Sequence, residues 1–413
     1  MTRGHPIVGG REEHGRISER GRRSRQSVLA QILLSGPISR TTIADRVGLT
    51  AGAVSRVARP LINEGLVREL PEKLPDGPVR PGRRTIRLDI DPQGGQVLGI
   101  GIDPSFLTVT LADIKNSTIA TSGVELDTVE EPDLVIRRVA RESRRLIGAH
   151  LDDRRRLIGG VLTIAGAVDP VRGDLLDSPH LGWGRFPLRA RLADVLDLPV
   201  RVRSMAAAIA QAETLFGAAR GFNNVLTLVC GLGIDAIVIL AGRLVDREGF
   251  PGGGIGEMEV TGENGIVSTL NQLGGGLGML RCLHGEVMTP SRSPSSSVAQ
   301  ALRDAVERDQ ADDPMVRALM AQAGREFGRV VVQLARLFVP DVILLAGPLS
   351  EAPGYVDAAR QVVAGGIAPR RAEVITGILA GSSSERSVSC AMAIHEYLLG
   401  GALNLDRPHL RLG

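Results

Sequence analysis

The segment LTAGAVSRVARPLIN, residues 49–63, carries the residue pattern best suited to chemistry on a macromolecular partner. Val54, Val57, Leu61 and Ile62 recur at helical spacing and can face inward, which leaves Gly52, Ser55, Arg56 and Arg59 on the opposite face. Arginines on such a face can hydrogen-bond guanine edges or contact phosphates, and the small residues beside them permit close approach to a groove. Thr50 can cap this helix. Pro60 lacks an N–H and disfavours helical geometry at Arg59, so a kink is expected there, with 51–58 as the reading segment.

Two shorter helices must hold that segment in place. Val28, Leu29, Ile32 and Leu33 form a stripe that stops at Gly36-Pro37; Ser39 can cap a second helix bearing Ile43, Ala44 and Val47, which stops at Gly48. Three helices with the four-residue turn GLTA read as a helix-turn-helix. After Gly65 come two β-like segments, LVREL at 66–70 and TIRLDI at 85–90, and between them PEKLPDGPVRPGRR reads as the wing of a winged helix. The residues expected on DNA are Ser39, Arg40, Thr50, Ala51, Gly52, Ser55, Arg56 and Arg59, with Arg80, Arg83 and Arg84 of the wing on phosphates or in a minor groove.

Charge supports this division. Residues 1–90 hold 17 Lys/Arg against 9 Asp/Glu, and the remaining residues 32 against 37, a basic front on an acidic body. Residues 1–23 alternate Gly, Arg and Glu without apolar period and are expected to form a disordered basic tail. With 413 residues, 43% of them hydrophobic, the chain can bury more than one core, which excludes disorder throughout. No apolar run approaches the roughly 18 residues that span a bilayer, and the N-terminus has no secretory h-region, so the expected location is the cytoplasm without membrane contact. Cys230, Cys282 and Cys390 lie far apart with no C-x-x-C pair, which argues against a cysteine-rich zinc site.

From Gln96 the chain alternates strand and helix. QVLGIGI and FLTVTLADI predict a hairpin, followed by a helix around 131–151 and the strand RLIGGVLTIAGAV; the order recurs after residue 222 with NVLTLVCGLGIDAIVILAGRLV. Two related α/β halves joined at the helix MAAAIAQAETLFGAARG suggest an actin-like, ribonuclease-H-like body. The expected domains are a winged helix at 24–90, a first lobe at 96–203 completed by a C-terminal helix at 385–400, and a second lobe at 204–384.

The winged helix followed by LGIGIDPSFLTVTLADI, IAGAVDPVRGDLLDSPHLGWGRFPL, AETLFGAARG, GRLVDREGFPGGGIGEMEV and PDVILLAGPLS strongly resembles the ROK family, from residue 24 to about 400. That family groups bacterial sugar kinases with sugar-responsive repressors, and its repressors, unlike most of its kinases, carry the N-terminal winged helix. The resemblance therefore implies a DNA-binding transcriptional regulator, most simply a repressor. It also implies a double-stranded operator, a sugar-like effector, and a homodimer or higher homo-oligomer as partners.

The departures from the family pattern decide the expected chemistry. Where a family kinase has D-x-G-[GA]-T, with an Asp for metal and glycines for phosphate, this chain reads Gly101-Ile102-Asp103-Pro104-Ser105. In the second phosphate motif, G-x-G-I-G-x-G, Asp235 replaces the third glycine of GLGIDAI. The N-D-x-N motif, whose Asp is the kinase base, has Ser204, Met205 and Ala207 at the matching places, and a thioether accepts no proton. The family's G-E-I-G-H, with its sugar-binding Glu and zinc-binding His, reads Gly253-Gly254-Ile255-Gly256-Glu257, and of the cysteine motif that completes the zinc site only Cys282 remains. The body is therefore expected to be catalytically inactive, without zinc or other cofactor. Asp169, His180, Ser204 and Glu257 are the residues left to touch a ligand hydroxyl. Two alternatives stay open: a sugar kinase with an appended DNA-binding module, and a non-enzymatic ligand- or protein-interaction module.

Overall fold

The computed structural model describes residues 19–71, 86–104, 106–126, 130–151, 156–246, 254–263, 265–285, 295–367, 373–377 and 387–400. They divide into two compact units, one of residues up to Asp91 together with those from Glu396 onward, the other Pro92–His395.

The first unit contains α1 (Glu19–Ser35), β1 (Ile38–Ser39), α2 (Arg40–Val47), α3 (Ala51–Asn63), β2 (Val67–Pro71) and β3 (Ile86–Ile90). Its apolar stripe buries Val28, Leu29 and Ile32 against Ile43, Ala44, Val54, Ala58 and Leu61, while Val57 and Ile62 are half-buried. Both caps form as the sequence suggests. The Ser39 hydroxyl accepts from the Thr42 N–H at 3.1 Å, and Gly48 closes α2 at φ +68°, a left-handed conformation that favours glycine. The Thr50 hydroxyl accepts from the Ala53 N–H at 3.2 Å, and α3 continues through Pro60 to Asn63. The strands form an antiparallel sheet in the order β1-β3-β2, the winged-helix topology, with Ile38 opposite Leu88. β1 was not expected, being only two residues long. The boundary expected at residue 24 falls inside α1, and residues 1–18 lie outside the described residues.

The second unit starts with β4 (Gln96–Ile102), β5 (Phe106–Asp113), β6 (Thr118–Glu125), α4 (Pro132–His150), β7 (Leu157–Ile164), β8 (Ala167–Val168), β9 (Leu175–Asp177), α5 (Leu188–Val195) and β10 (Val200–Ser204). It continues with α6 (Met205–Phe216), β11 (Val225–Cys230), β12 (Ile234–Leu240), β13 (Arg243–Leu244), β14 (Glu259–Thr261) and β15 (Val267–Thr269). α7 (Leu270–Gly274), α8 (Gly276–His284), α9 (Ser295–Gln310), α10 (Pro314–Phe338), β16 (Val342–Ala346), α11 (Pro353–Gly366), β17 (Glu373–Thr376) and α12 (Val388–Ile394) complete it.

Its two five-stranded sheets repeat one plan. In the order β6-β5-β4-β7-β10, antiparallel hairpin strands adjoin parallel β7 and β10; in β13-β12-β11-β16-β17 the same arrangement recurs with β16 and β17 parallel to β11. This is the two-lobed α/β body the sequence predicts. The stretch expected as one strand, RLIGGVLTIAGAV, is broken at Ala165-Gly166 into β7 and β8. A Cβ at Gly166 would lie 2.7 Å from the Asp177 carbonyl, so the chain turns there against β9. α4 and α5 cover one face of the first sheet, sharing a core that includes Leu98, Ile100, Val139 and Leu192. α12 covers the opposite face so closely that a Cβ at Gly99 would meet Cys390 Sγ at 2.6 Å. α6 packs on one face of the second sheet through Ala206, Ala207 and Ala210, and α8–α11 fill the other around Phe327 and Tyr355, whose rings stack 5.4 Å apart.

Candidate nucleic-acid interface and body cleft

In the first unit the two faces of α3 separate cleanly. Val54, Ala58 and Leu61 are buried, whereas Ala51, Gly52, Ser55, Arg56 and Arg59 are exposed, so the residues expected on DNA share a solvent face. The Ser55 hydroxyl donates back to the Ala51 carbonyl at 2.9 Å, which fixes it along the helix. Thr50 is exposed at the helix start with its oxygen spent on the cap. Ser39 is likewise a cap, and Arg40 pairs with Glu69 on β2, so these two hold the module together as well as bordering it. Arg80, Arg83 and Arg84 lie outside the described residues.

In the second unit the kinase-like positions are internally occupied. Asp103 Oδ1 accepts from the Phe106 N–H at 2.9 Å and closes the β4–β5 turn. Gly101 faces α12 and α6: a Cβ there would lie 3.6 Å from Ser389 Oγ and 3.9 Å from Met205 Cε, which brings together the two positions where a kinase would hold metal and base. Asp235 sits half-buried on β12, and that burial raises its carboxyl above the ordinary 3.8. The Asn271 side chain accepts from the Ile234 N–H at 2.8 Å and donates to Glu257 Oε1 at 2.8 Å.

The four residues expected on a ligand therefore have different situations. Asp169 is buried, its Oδ1 accepting from the N–H groups of Val171 and Arg172 at 2.9 and 2.8 Å, so it orients the loop after β8. His180 is half-buried in the loop closed by the Ser178–Trp183 bridge; its Nδ1 has no hydrogen-bond partner among the described residues, and burial lowers its pKa below the ordinary 6.5. Ser204 caps α6 through the Ala207 N–H and lines a small, half-open cleft with Val168, Arg203, Ile237 and Asp246. Glu257 is exposed on a 3-10 turn against Asn271 and does not line that cleft. Among the described residues no three His, Cys, Asp or Glu side chains gather in a way that could hold a metal ion. No described helix is long and apolar enough to cross a membrane.

Sequence reasoning missed Arg203, Asn271 and Asp246. Arg203 and Asp246 pair at 3.7 Å across the cleft, and Arg203 Nη1 also donates to the Pro170 carbonyl. Their partners are 33 and 43 residues apart along the chain, so only the fold makes the arrangement visible.

The topology and these faces define a winged helix joined to an actin-like, two-lobed body in which the phosphate motifs are altered. Residues 144–395 match the ROK family, and the chain belongs to it. A transcriptional regulator of Mycobacterium tuberculosis is 27% identical over 343 residues, covering 78% of this chain and 73% of the regulator. The DNA-binding transcriptional repressor Mlc of Escherichia coli is 25% identical over 335 residues, covering 77% and 79%. Among solved structures, a ROK family transcriptional regulator described as a homologue of the E. coli protein superposes with a TM-score of 0.73 at 20% identity, covering 95% of this chain and 99% of that one. A ROK family glucokinase from Streptomyces griseus, with glucose and AMPPNP, gives 0.58 at 21% identity over 74% and 99%. At these identities the structural likeness establishes the shared fold.

Proposed function

We propose that this protein is a DNA-binding transcriptional regulator of the repressor type whose sugar-kinase-like body no longer transfers phosphate. The observation that carries the reading is the exposed face of α3, where Gly52, Ser55, Arg56 and Arg59 lie opposite the buried Val54, Ala58 and Leu61 on a helix capped at Thr50. That face has the shape and charge a recognition helix needs in a major groove. The names of the relatives support it. In this reading the wing arginines Arg80, Arg83 and Arg84 contact phosphates, and the body dimerises to set two recognition helices on half-sites about 10 bp, or a multiple of it, apart. A small effector bound near Ser204 and the Asp169 loop would change the angle between the lobes and thereby the spacing of the helices. Selection of duplexes from a random pool by the full chain tests the proposal. Enrichment of an inverted repeat is expected, and binding that stays equal for all sequences at every salt concentration would remove it.

A further inference from the structure

The exposed face of α3 carries hydrogen-bonding groups of fixed polarity. Ser55 has a single hydroxyl proton, and the helix commits it to the Ala51 carbonyl at 2.9 Å. Its Oγ keeps two lone pairs and is exposed, so toward a partner Ser55 accepts and does not donate. Arg56, its exposed neighbour, has the opposite character, since a guanidinium donates and has no acceptor. A hydroxyl on so short a side chain reaches a base edge only where the helix backbone comes close. The residues three and four positions before it leave that room: Ala51 and Gly52 share its face, and a Cβ at Gly52 would meet none of the described residues within 4 Å. Packing therefore does not require glycine there, although alanine would make a stronger helix.

We propose that Ser55 is a specificity-determining residue that accepts a hydrogen bond from an exocyclic amino group in the major groove, adenine N6 or cytosine N4. These are the amino donors that base pairs present in that groove, whereas guanine offers O6 and N7 acceptors and thymine an O4 acceptor beside its methyl group. A guanine read by Arg56 next to an amino-bearing base read by Ser55 is then the half-site signature of this helix. The inference rests on the regulator reading and goes beyond it in naming the group recognised.

The test is a double-mutant cycle, read by fluorescence anisotropy, on the operator that the full chain selects. At each half-site position in turn, purine replaces adenine or 2-pyrimidinone replaces cytosine, which removes the amino group; a parallel series of 7-deazapurines removes the N7 acceptor. At one position the loss of the amino group should weaken the wild type about fivefold more than it weakens Ser55→Ala, and Ser55→Ala should lose about the same factor on the unmodified operator. The purine and 2-pyrimidinone series tell adenine from cytosine. Alanine is a good helix former, so Ser55→Ala leaves α3 intact, and Gly52→Ala should raise the Tm while weakening the operator complex. Coupling of Ser55 to N7 rather than to an amino group would overturn the proposal, as would coupling at no position. Gly52→Ala binding the operator as tightly as the wild type would overturn it too, by removing the close approach it needs. A chain that selects no operator loses the regulator reading and this inference together, whereas one that selects an operator indifferent to Ser55 loses this inference alone.

Discussion

Replacing Arg56 by Ala should separate sequence reading from mere attraction to DNA. Arg56 is exposed on α3, on the face opposite Val54, Ala58 and Leu61, and both arginine and alanine favour helix, so folding stability should change by no more than about 0.5 kcal/mol. The Thr50 cap and the Ser55 hydrogen bond to Ala51 remain, so the helix keeps its position. A lost bidentate contact to a base edge costs about 1–3 kcal/mol, which is about 5- to 150-fold in affinity for the selected operator. Fluorescence anisotropy on the operator and on a scrambled duplex, at two salt concentrations, reads this directly. The expected result is a large loss on the operator and little on the scrambled sequence. An equal loss on both would show that Arg56 contacts phosphate and that the reading face was assigned wrongly, and no loss on either would favour the interaction-module alternative.

Three further outcomes follow from the body. Gly99→Ala should destabilise by about 1–3 kcal/mol or more, because its Cβ would stand 2.6 Å from Cys390 Sγ and 2.7 Å from the Cys390 nitrogen, whereas Gly101→Ala, with its nearest neighbour at 3.6 Å, should be close to neutral in urea melts. The two carboxyl and imidazole shifts give opposite pH signatures. The folded state holds the proton on Asp235 more tightly than the unfolded state, so Asp235→Asn should raise the Tm at neutral pH and lose that gain as pH falls toward 3.8. For His180 the unfolded state binds the proton more tightly, so its contribution is full above 6.5 and is lost on acidification below it, and His180→Asn should flatten that limb of the Tm profile. With Met205 at the base position, a coupled assay with ATP and hexoses or amino sugars should detect no phosphorylation; turnover that disappears in Met205→Ala would overturn the inactive reading.

The helical module was legible because its signals are local. Caps at Ser39 and Thr50, the stop at Gly48 and the stripe on α3 each depend on residues within one or two turns, and they formed as expected. Ala58 was overlooked because a small side chain contributes little to an apolar pattern, although it is fully buried. Pro60 does not end the helix, which runs on to Asn63 with Leu61 buried and the Glu64 N–H donating to the Pro60 carbonyl in its last turn. In the body the hairpins and the repeated strand order could be read, but the partners of the altered motifs could not. Asn271 reaches the Ile234 N–H from 37 residues away, and nothing in an asparagine's neighbours along the chain announces such a bond.

In the proposed inactive reading, those partners are what keeps the fold once the groups that handle phosphate are gone. A phosphate cradle works by leaving backbone N–H groups unpaired until the anion arrives. Here the Phe106 N–H is taken by Asp103, the Ile234 N–H by Asn271 and the Gly231 N–H by the Gly233 carbonyl at 2.9 Å. The first turn of α8 is used in the same way, with the Gly276 and Leu277 N–H groups donating to the carbonyls of Gly231 and Leu232. In that reading each of these bonds competes with an anion for its N–H, and breaking it would leave an acceptor without its donor. Restoring an aspartate at Gly101 or Met205 alone should therefore not restore phosphate transfer, because the obstacle is distributed over turns that have been stabilised in the closed, self-satisfied form.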